Sequence, residues 1–266
     1  MRLHVLRERP TAPTPGELLF VGPVAPLDAP MDLGALPGDG TVGNPASISA
    51  IGVGLFTVSR ILAALRSRSD LLSEAKESWG PFQATQMVTV QPPAFDWEAR
   101  IAWAPGVTMF VRDAYAAGTG SLHAAAFGLV TVADQRGTPE LAQGELMRYL
   151  AEAAWYPTAL LPSGGVRWEA IDDSTARASF TDGATSVALD FRFDQEGLIT
   201  RVRSPGRYRD VNGVQTLMPW QGRFRRYAQR SGMRIPLEGE VEWVMPTGPL
   251  PYWRGRITDI VYETAR

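Results

Sequence analysis

Residues 138–157 read TPELAQGELMRYLAEAAWYP, and the fold follows from this stretch more than from any other. Thr138 is an N-cap residue, Pro139 suits the first helical position, Glu140 lies at the positive end of the helix dipole, and Pro157 stops the run. The spacing predicts a helix over 139–156. Ala142, Leu146, Tyr149, Leu150, Ala153 and Tyr156 form one face, while Leu141, Met147, Ala151, Ala154 and Trp155 occupy much of the rest. A surface helix is ordinarily apolar along one stripe only. One that is apolar over most of its circumference has to be covered on several sides. A flat sheet cannot do this, but a curved sheet that wraps around the helix can.

Outside the helix the dominant period is two. Phe95, Trp97, Ala99, Ile101 and Trp103 alternate with Asp96, Glu98 and Arg100, the pattern of a strand with one buried and one wet face. Val187, Leu189, Phe191 and Phe193 repeat it, as do Val241, Trp243 and Met245. Further strands are expected near 82–91, 107–116, 120–133, 166–171, 174–181, 198–204 and 252–262, with turns at Asp182-Gly183 and Asp194–Gly197. Strands this close together, with no helix between them, make an antiparallel meander. The expected class is mainly β (α+β): a curved antiparallel sheet or half-barrel wrapped around a central helix, with an irregular N-terminal segment.

The chain has 266 residues, 45% hydrophobic and 20% charged, a globular composition that excludes a collagen, a coiled coil or a wholly disordered protein. It has no cysteine, which removes disulfides, thiolate metal sites and a cysteine nucleophile. With His4 and His123 as the two histidines, a histidine-rich metal site is nearly excluded, as is a Ser/His/Asp triad unless His123 is its base. The net charge of -2 gives no general pull toward nucleic acid or anionic lipid. Lys76 is the sole lysine, so 25 of the 26 basic residues are arginine, which reads first as a coding bias and lowers the meaning of any arginine cluster.

All eight Trp, all seven Tyr and eight of the ten Phe lie from Trp79 onward, whereas eight Pro and eight Gly sit in the first 78 residues. Residues 1–46 accordingly read as a Pro/Gly-rich, loosely ordered tail. Residues 47–78 read as a helical segment and linker, and 79–266 as the curved β domain. Ile48–Leu65 is apolar apart from Ser49, Thr57, Ser59 and Arg60. Arg60, Gly52 and Gly54 would be costly at bilayer depth, so a packed or surface-lying helix is expected there rather than an integral span. No secretory pattern follows Met1–Pro10 and no lipobox cysteine exists. The expected location is cytoplasmic, with peripheral membrane association left open.

Several motifs have plainer explanations than their letters suggest. Gly38–Gly43 spells a dinucleotide fingerprint but lacks the hydrophobic strand that would aim it. Asp172 and Asp173, near Glu169, would point to opposite faces of a strand and are better explained as a solvated turn. Gly118-Thr119-Gly120-Ser121 lacks the spacing of a nucleophile elbow, and His123 reads as a half-buried structural histidine. Residues 201–234 hold nine arginines and one acid, Asp210, the nearest thing to a nucleic-acid footprint. The alternation of Arg201 and Arg203 about Val202 instead suggests a solvated strand face, and nucleic acid is disfavoured as a partner.

Glu145, Arg148 and Glu152 recur at three- and four-residue intervals beside Tyr149 and Tyr156, placing charges on a stripe of a covered helix. Such groups must be paired or meet a ligand. Asp113 shares a strand face with Val111 and Tyr115 and is a natural partner for Arg148.

The run Glu140–Leu146, Arg148–Ala153 and Trp155–Pro162, together with Trp79, Pro81-Phe82, Asp113-Ala114-Tyr115, Trp168–Asp172, Pro219-Trp220 and Tyr252–Gly255, resembles a bacterial domain-of-unknown-function family over about residues 79–262. In such relatives a helix and a first strand are expected directly before the Trp79 motif, a pattern that residues 1–78 do not display. The helix inside a curved sheet also resembles the half-barrel of lipoprotein carriers of the LolA and LppX kind.

The leading expectation is a non-enzymatic protein that binds or carries an apolar or amphipathic small molecule in the concave face of the sheet. The candidate ligand-binding residues are Asp113, Tyr115, Tyr149, Glu152, Trp155, Tyr156, Trp220, Trp253 and Arg254, with Glu152 and Arg254 orienting a head group. One alternative is a hydrolase or isomerase using Asp113, Glu145 and Glu152. Another is a structural or partner-binding domain using the arginine-rich 201–234 face. No cofactor and no metal is called for, and the oligomeric state is left open.

Overall fold

The computed structural model describes residues 45–57, 79–211 and 213–264. Six strands come first: β1 (Pro45–Thr57), β2 (Trp79–Thr89), β3 (Ala94–Ala104), β4 (Val107–Ala116), β5 (Thr119–Ala126) and β6 (Val130–Arg136). Helix α1 (Pro139–Glu152) follows, with short 3-10 turns at Ala153–Trp155, Pro157–Leu160 and Pro162–Gly164. Seven more strands complete the chain: β7 (Arg167–Asp172), β8 (Thr175–Asp182), β9 (Thr185–Phe193), β10 (Ile199–Val211), β11 (Val214–Arg230), β12 (Met233–Met245) and β13 (Gly248–Thr264).

The strands form one 13-stranded sheet in the order β6-β5-β4-β3-β2-β1-β13-β12-β11-β10-β9-β8-β7. Two antiparallel meanders, β1–β6 and β7–β13, are joined where β1 pairs with β13, as in Ile48 opposite Tyr262 and Gly54 opposite Gly255. The sheet is strongly bent. The Tyr115 hydroxyl on β4 donates to Asp182 Oδ2 on β8 at 2.6 Å, across a sheet in which these strands stand third and twelfth in order. Its edges β6 and β7 do not pair, so the barrel stays open. The chain crosses from one edge to the other through α1.

Thr138 caps the helix by accepting from the Leu141 N–H at 3.2 Å, as its sequence position predicts. The helix touches β4 and β5 on one arm of the sheet and β9 and β10 on the other, which is the several-sided cover that its composition demanded. Leu146, Tyr149, Leu150, Ala153 and Tyr156 are all nearly inaccessible. Tyr149 stacks on Phe180 at 6.0 Å and lies 5.5 Å from Tyr156, whose hydroxyl donates to the Tyr149 carbonyl at 2.7 Å. Burying aromatics of this size is the largest single source of stability in such a core.

Three expectations change. The segment read as helical over 47–78 begins as strand β1, Pro45–Thr57, while residues 58–78 and the tail through residue 44 lie outside the described residues, as does the Gly38–Gly43 motif. A short apolar run carries no period that separates a buried strand from a helix. The single strand expected over 120–133 is two, β5 and β6, joined by a turn in which Phe127 (φ 55°) and Gly128 (φ 69°) both take left-handed conformations. Hairpin turns of this type usually announce themselves with Asn-Gly or Asp-Gly, and Phe127 masks the signal. Finally, the basic stretch after residue 213 is a 17-residue strand, β11, whose in-out alternation is hidden in the sequence because Arg226 takes a left-handed conformation (φ 59°) within it.

Candidate functional site

Between α1 and the concave face of the sheet lies a cleft of about 1040 Å³. The helix contributes Leu141, Gly144, Glu145, Arg148, Ala151 and Glu152 to its wall. Opposite, β3–β5 present Trp97, Val111, Asp113, Leu122 and Ala124. Strand β6 adds residues 131–135, and the rest of the wall comes from β10–β13, with Val202, Arg207, Trp220, Phe224, Trp243 and Trp253 among its residues.

The floor is aromatic because glycines let rings lie against the strands. Gly239 on β12 is the register partner of Gly255 on β13. A Cβ on Gly239 would stand 3.1 Å from Trp155 and 3.3 Å from Trp253, and one on Gly255 would collide with the Trp253 ring. Trp155 is fixed by its indole N–H, which donates to the Pro236 carbonyl at 2.9 Å, and by the Tyr262 hydroxyl, which donates to the Trp155 carbonyl at 2.6 Å. Its ring meets Phe224 edge-on at 5.7 Å and Trp253 at 6.1 Å. Trp220 donates to the Tyr252 hydroxyl at 2.8 Å, and Tyr252 stacks on Trp243 at 5.8 Å. A smaller hollow of about 40 Å³ on the other side of Arg148 and Glu152 is bounded by Phe82, Trp97, Tyr156 and Trp253.

Arg148 organises the polar side of the cleft. It donates to Asp113 Oδ2 at 2.6 Å, to Glu152 Oε1 at 2.7 Å and to Gln86 Oε1 at 3.2 Å. The Gln86 amide returns a bond to Glu152 Oε2 at 2.7 Å. The guanidinium also lies 4.7 Å from the Phe95 ring centre and 5.1 Å from that of Trp97. Burial by itself would lower its pKa, but the charges of Glu152, Asp113 and Glu145 outweigh that and hold it above its ordinary value. Asp113 and Glu152, two of the three acids named for an acid–base role, are both ion-paired to this guanidinium.

A second buried guanidinium comes from a β-bulge. The β10–β11 register shifts between Ser204 and Arg207, where the Ser204 hydroxyl and Gly206 backbone bond to each other. Ser204 and Arg207 stand three apart in sequence yet are 2% and 4% exposed. The extra residue turns Arg207 inward, whereas simple alternation would have sent it out. Its guanidinium lies 5.0 Å from the Trp220 ring centre, and that of Arg209 lies 5.5 Å from Trp243.

Of the residues expected from sequence, Asp113, Glu152, Trp155, Trp220 and Trp253 line the cleft, and Tyr156 borders the small hollow. Tyr115 and Tyr149 are buried in the core instead, with hydroxyls directed to Asp182 and to the Val90 carbonyl. Burial pushes both phenols above their ordinary pKa, the charge of Asp182 adding to the effect. Arg254 requires a correction. It follows Trp253 directly on a strand, so it points to the opposite face, where it bonds Glu240 and lies 4.7 Å from the Trp79 ring. Arg207 and Arg209 were hidden in a segment read as a solvated face. Pro205-Gly206 inside a strand pattern was the available sign of the bulge. Arg201, Arg203 and Arg223 do alternate as expected, on the other side. His123 stays partly exposed, 3.7 Å from Asp134. Among the described residues no helix is long and apolar enough to cross a membrane, and no group of three or more potential ligands could hold a metal ion.

No curated protein matches the sequence. Among solved structures, a LolA superfamily protein from Nitrosomonas europaea is similar at 13% identity, over 84% of this chain and 89% of that one, with a TM-score of 0.34. A family model matches residues 60–262, the greater part of the chain, and the protein therefore belongs to the family of unknown function DUF6920.

Proposed function

We propose that the protein binds one apolar or amphipathic small molecule in the cleft between α1 and the sheet. The observation that carries this reading is the cleft itself, about 1040 Å³ and lined by Trp97, Trp155, Trp220, Trp243 and Trp253. Small-molecule sites are typically about 300–1,000 Å³, mostly apolar, with a few polar groups that set orientation. A core that served packing alone would be expected to close such a space, since unfilled volume forfeits dispersion contacts. The Arg148 cluster and Arg207 supply the polar groups.

Titration with a neutral fluorescent apolar probe tests the reading. Saturable uptake at one site is expected, and it should be lost in Val241→Trp, which adds bulk from a partly buried wall residue. Absence of uptake by the unaltered protein, or equal uptake by the variant, would contradict it.

A further inference from the structure

We infer that Arg207 seats an anionic head group, a carboxylate or a phosphate monoester, on the amphiphile that the cleft holds. The inference rests on the proposed binding function and adds to it the charge and position of the head.

A guanidinium offers five N–H donors and cannot shed its charge. The Arg207 side chain is 5% exposed, and its closest anionic atom is Glu145 Oε1 at 3.9 Å, beyond hydrogen-bond range. It makes no hydrogen bond to another described residue; it forms a long, buried ion pair with Glu145 and lies over the face of Trp220. Arg148, by contrast, has three hydrogen-bonded partners in the same cleft. Burying a cation costs several kcal/mol unless hydrogen bonds compensate, and a bidentate oxyanion is the strongest partner for this donor fork.

The surroundings leave room for that partner. Gly144 faces the guanidinium, and a side chain there would begin 3.8 Å from Arg207 Nη2 and grow toward it. Arg209, two residues on, lines the same wall and adds a second positive charge. The acids of the cleft are mostly engaged elsewhere: Asp113 and Glu152 on Arg148, Asp134 on Arg136, and Asp210 on the Gly213 N–H, while the Glu240 side chain pairs with Arg254 on the other face of the sheet. Glu140 sits in the first turn of α1, at the positive end of its dipole. Glu145 is the acid nearest Arg207, which makes it the residue that limits anion affinity. Trp220 and Trp243 beside the two arginines give an alkyl chain apolar surface directly next to the head.

Displacement of the neutral probe by laurate, dodecyl phosphate, dodecanol and dodecyltrimethylammonium tests this. The two anions should bind about tenfold or more tighter than dodecanol, and the cation weakest. Arg207→Gln should remove the anion preference, so that laurate, dodecyl phosphate and dodecanol bind alike, while Glu145→Gln should strengthen both anions. Tighter dodecyl phosphate assigns the site to phosphate monoesters, and tighter laurate assigns it to fatty acids. Equal binding of anions and dodecanol, an anion preference that survives Arg207→Gln, or no gain in Glu145→Gln would overturn the inference while the cleft reading stands. If the neutral probe itself does not bind, the cleft reading fails first. The Glu145→Gln arm keeps the test intact should Arg207→Gln not fold.

Discussion

Arg148 holds three side chains in one ring of hydrogen bonds, and removing it strands two carboxylates beside each other. Arg148→Met should lower stability by about 3–5 kcal/mol, read from the urea midpoint. A triple variant that also replaces Asp113 and Glu152 by leucine should recover most of the loss. Gly255→Ala tests the floor, because its new methyl group meets the Trp253 ring. It should cost on the order of 1–3 kcal/mol and weaken probe binding through displaced Trp253. At this scale the sequence was partly legible. Asp113 could be paired with Arg148 because strand alternation put a charge on an apolar face, whereas Gln86, a neutral residue in a half-buried position, offered no such clue. Trp253 and Arg254 could not both face the cleft, since adjacent strand residues diverge.

Among elements, β9, β10 and β11 bring Arg192, Arg201 and Arg223 into direct cross-strand register on the convex side. Arg223 has Glu242 at 2.7 Å. Burial and then the charges of Arg192, Arg223 and Arg203 push the Arg201 pKa down. Like charges directly opposite one another destabilise a sheet. Arg201→Thr should therefore stabilise the protein by about 0.2–1 kcal/mol, seen as a higher Tm at low salt that converges on the parent as salt is raised. The bulge in β10 explains why one arginine-rich segment supplies both this outer row and the inner Arg207. A count of arginines cannot reveal that division, because one inserted residue exchanges the faces of everything after it.

The whole molecule depends on β1, whose partners β2 and β13 belong to the two meanders. A fragment beginning at residue 60 lacks this central strand and exposes the unpaired edges of β2 and β13. It should aggregate or lose cooperative unfolding, as sedimentation and denaturant titration would show; a monomeric, cooperative fragment would contradict the topology. Helix burial by a bent sheet was legible from residues 138–157, but the β1–β13 seam was not, because it joins opposite ends of the described chain and leaves no local pattern.

Tyr115, Tyr149 and Tyr262 tie distant parts of the molecule together, Tyr156 bonds back to the Tyr149 carbonyl, and burial raises the pKa of each. Unfolded tyrosine ionises near pH 10, so above about that pH the unfolded chain releases protons that the native state retains. Stability should be level with respect to these groups below that point and fall as pH rises beyond it, with Tm dropping as tyrosinate absorbance appears.

The central claim is that the cleft is occupied by a small molecule. Native mass spectrometry of the full chain, purified gently from its host, measures this most directly. One apolar or amphipathic adduct per chain is expected, released when the neutral probe is added in excess. A spectrum of bare polypeptide, from protein that also fails to take up the probe, would contradict it.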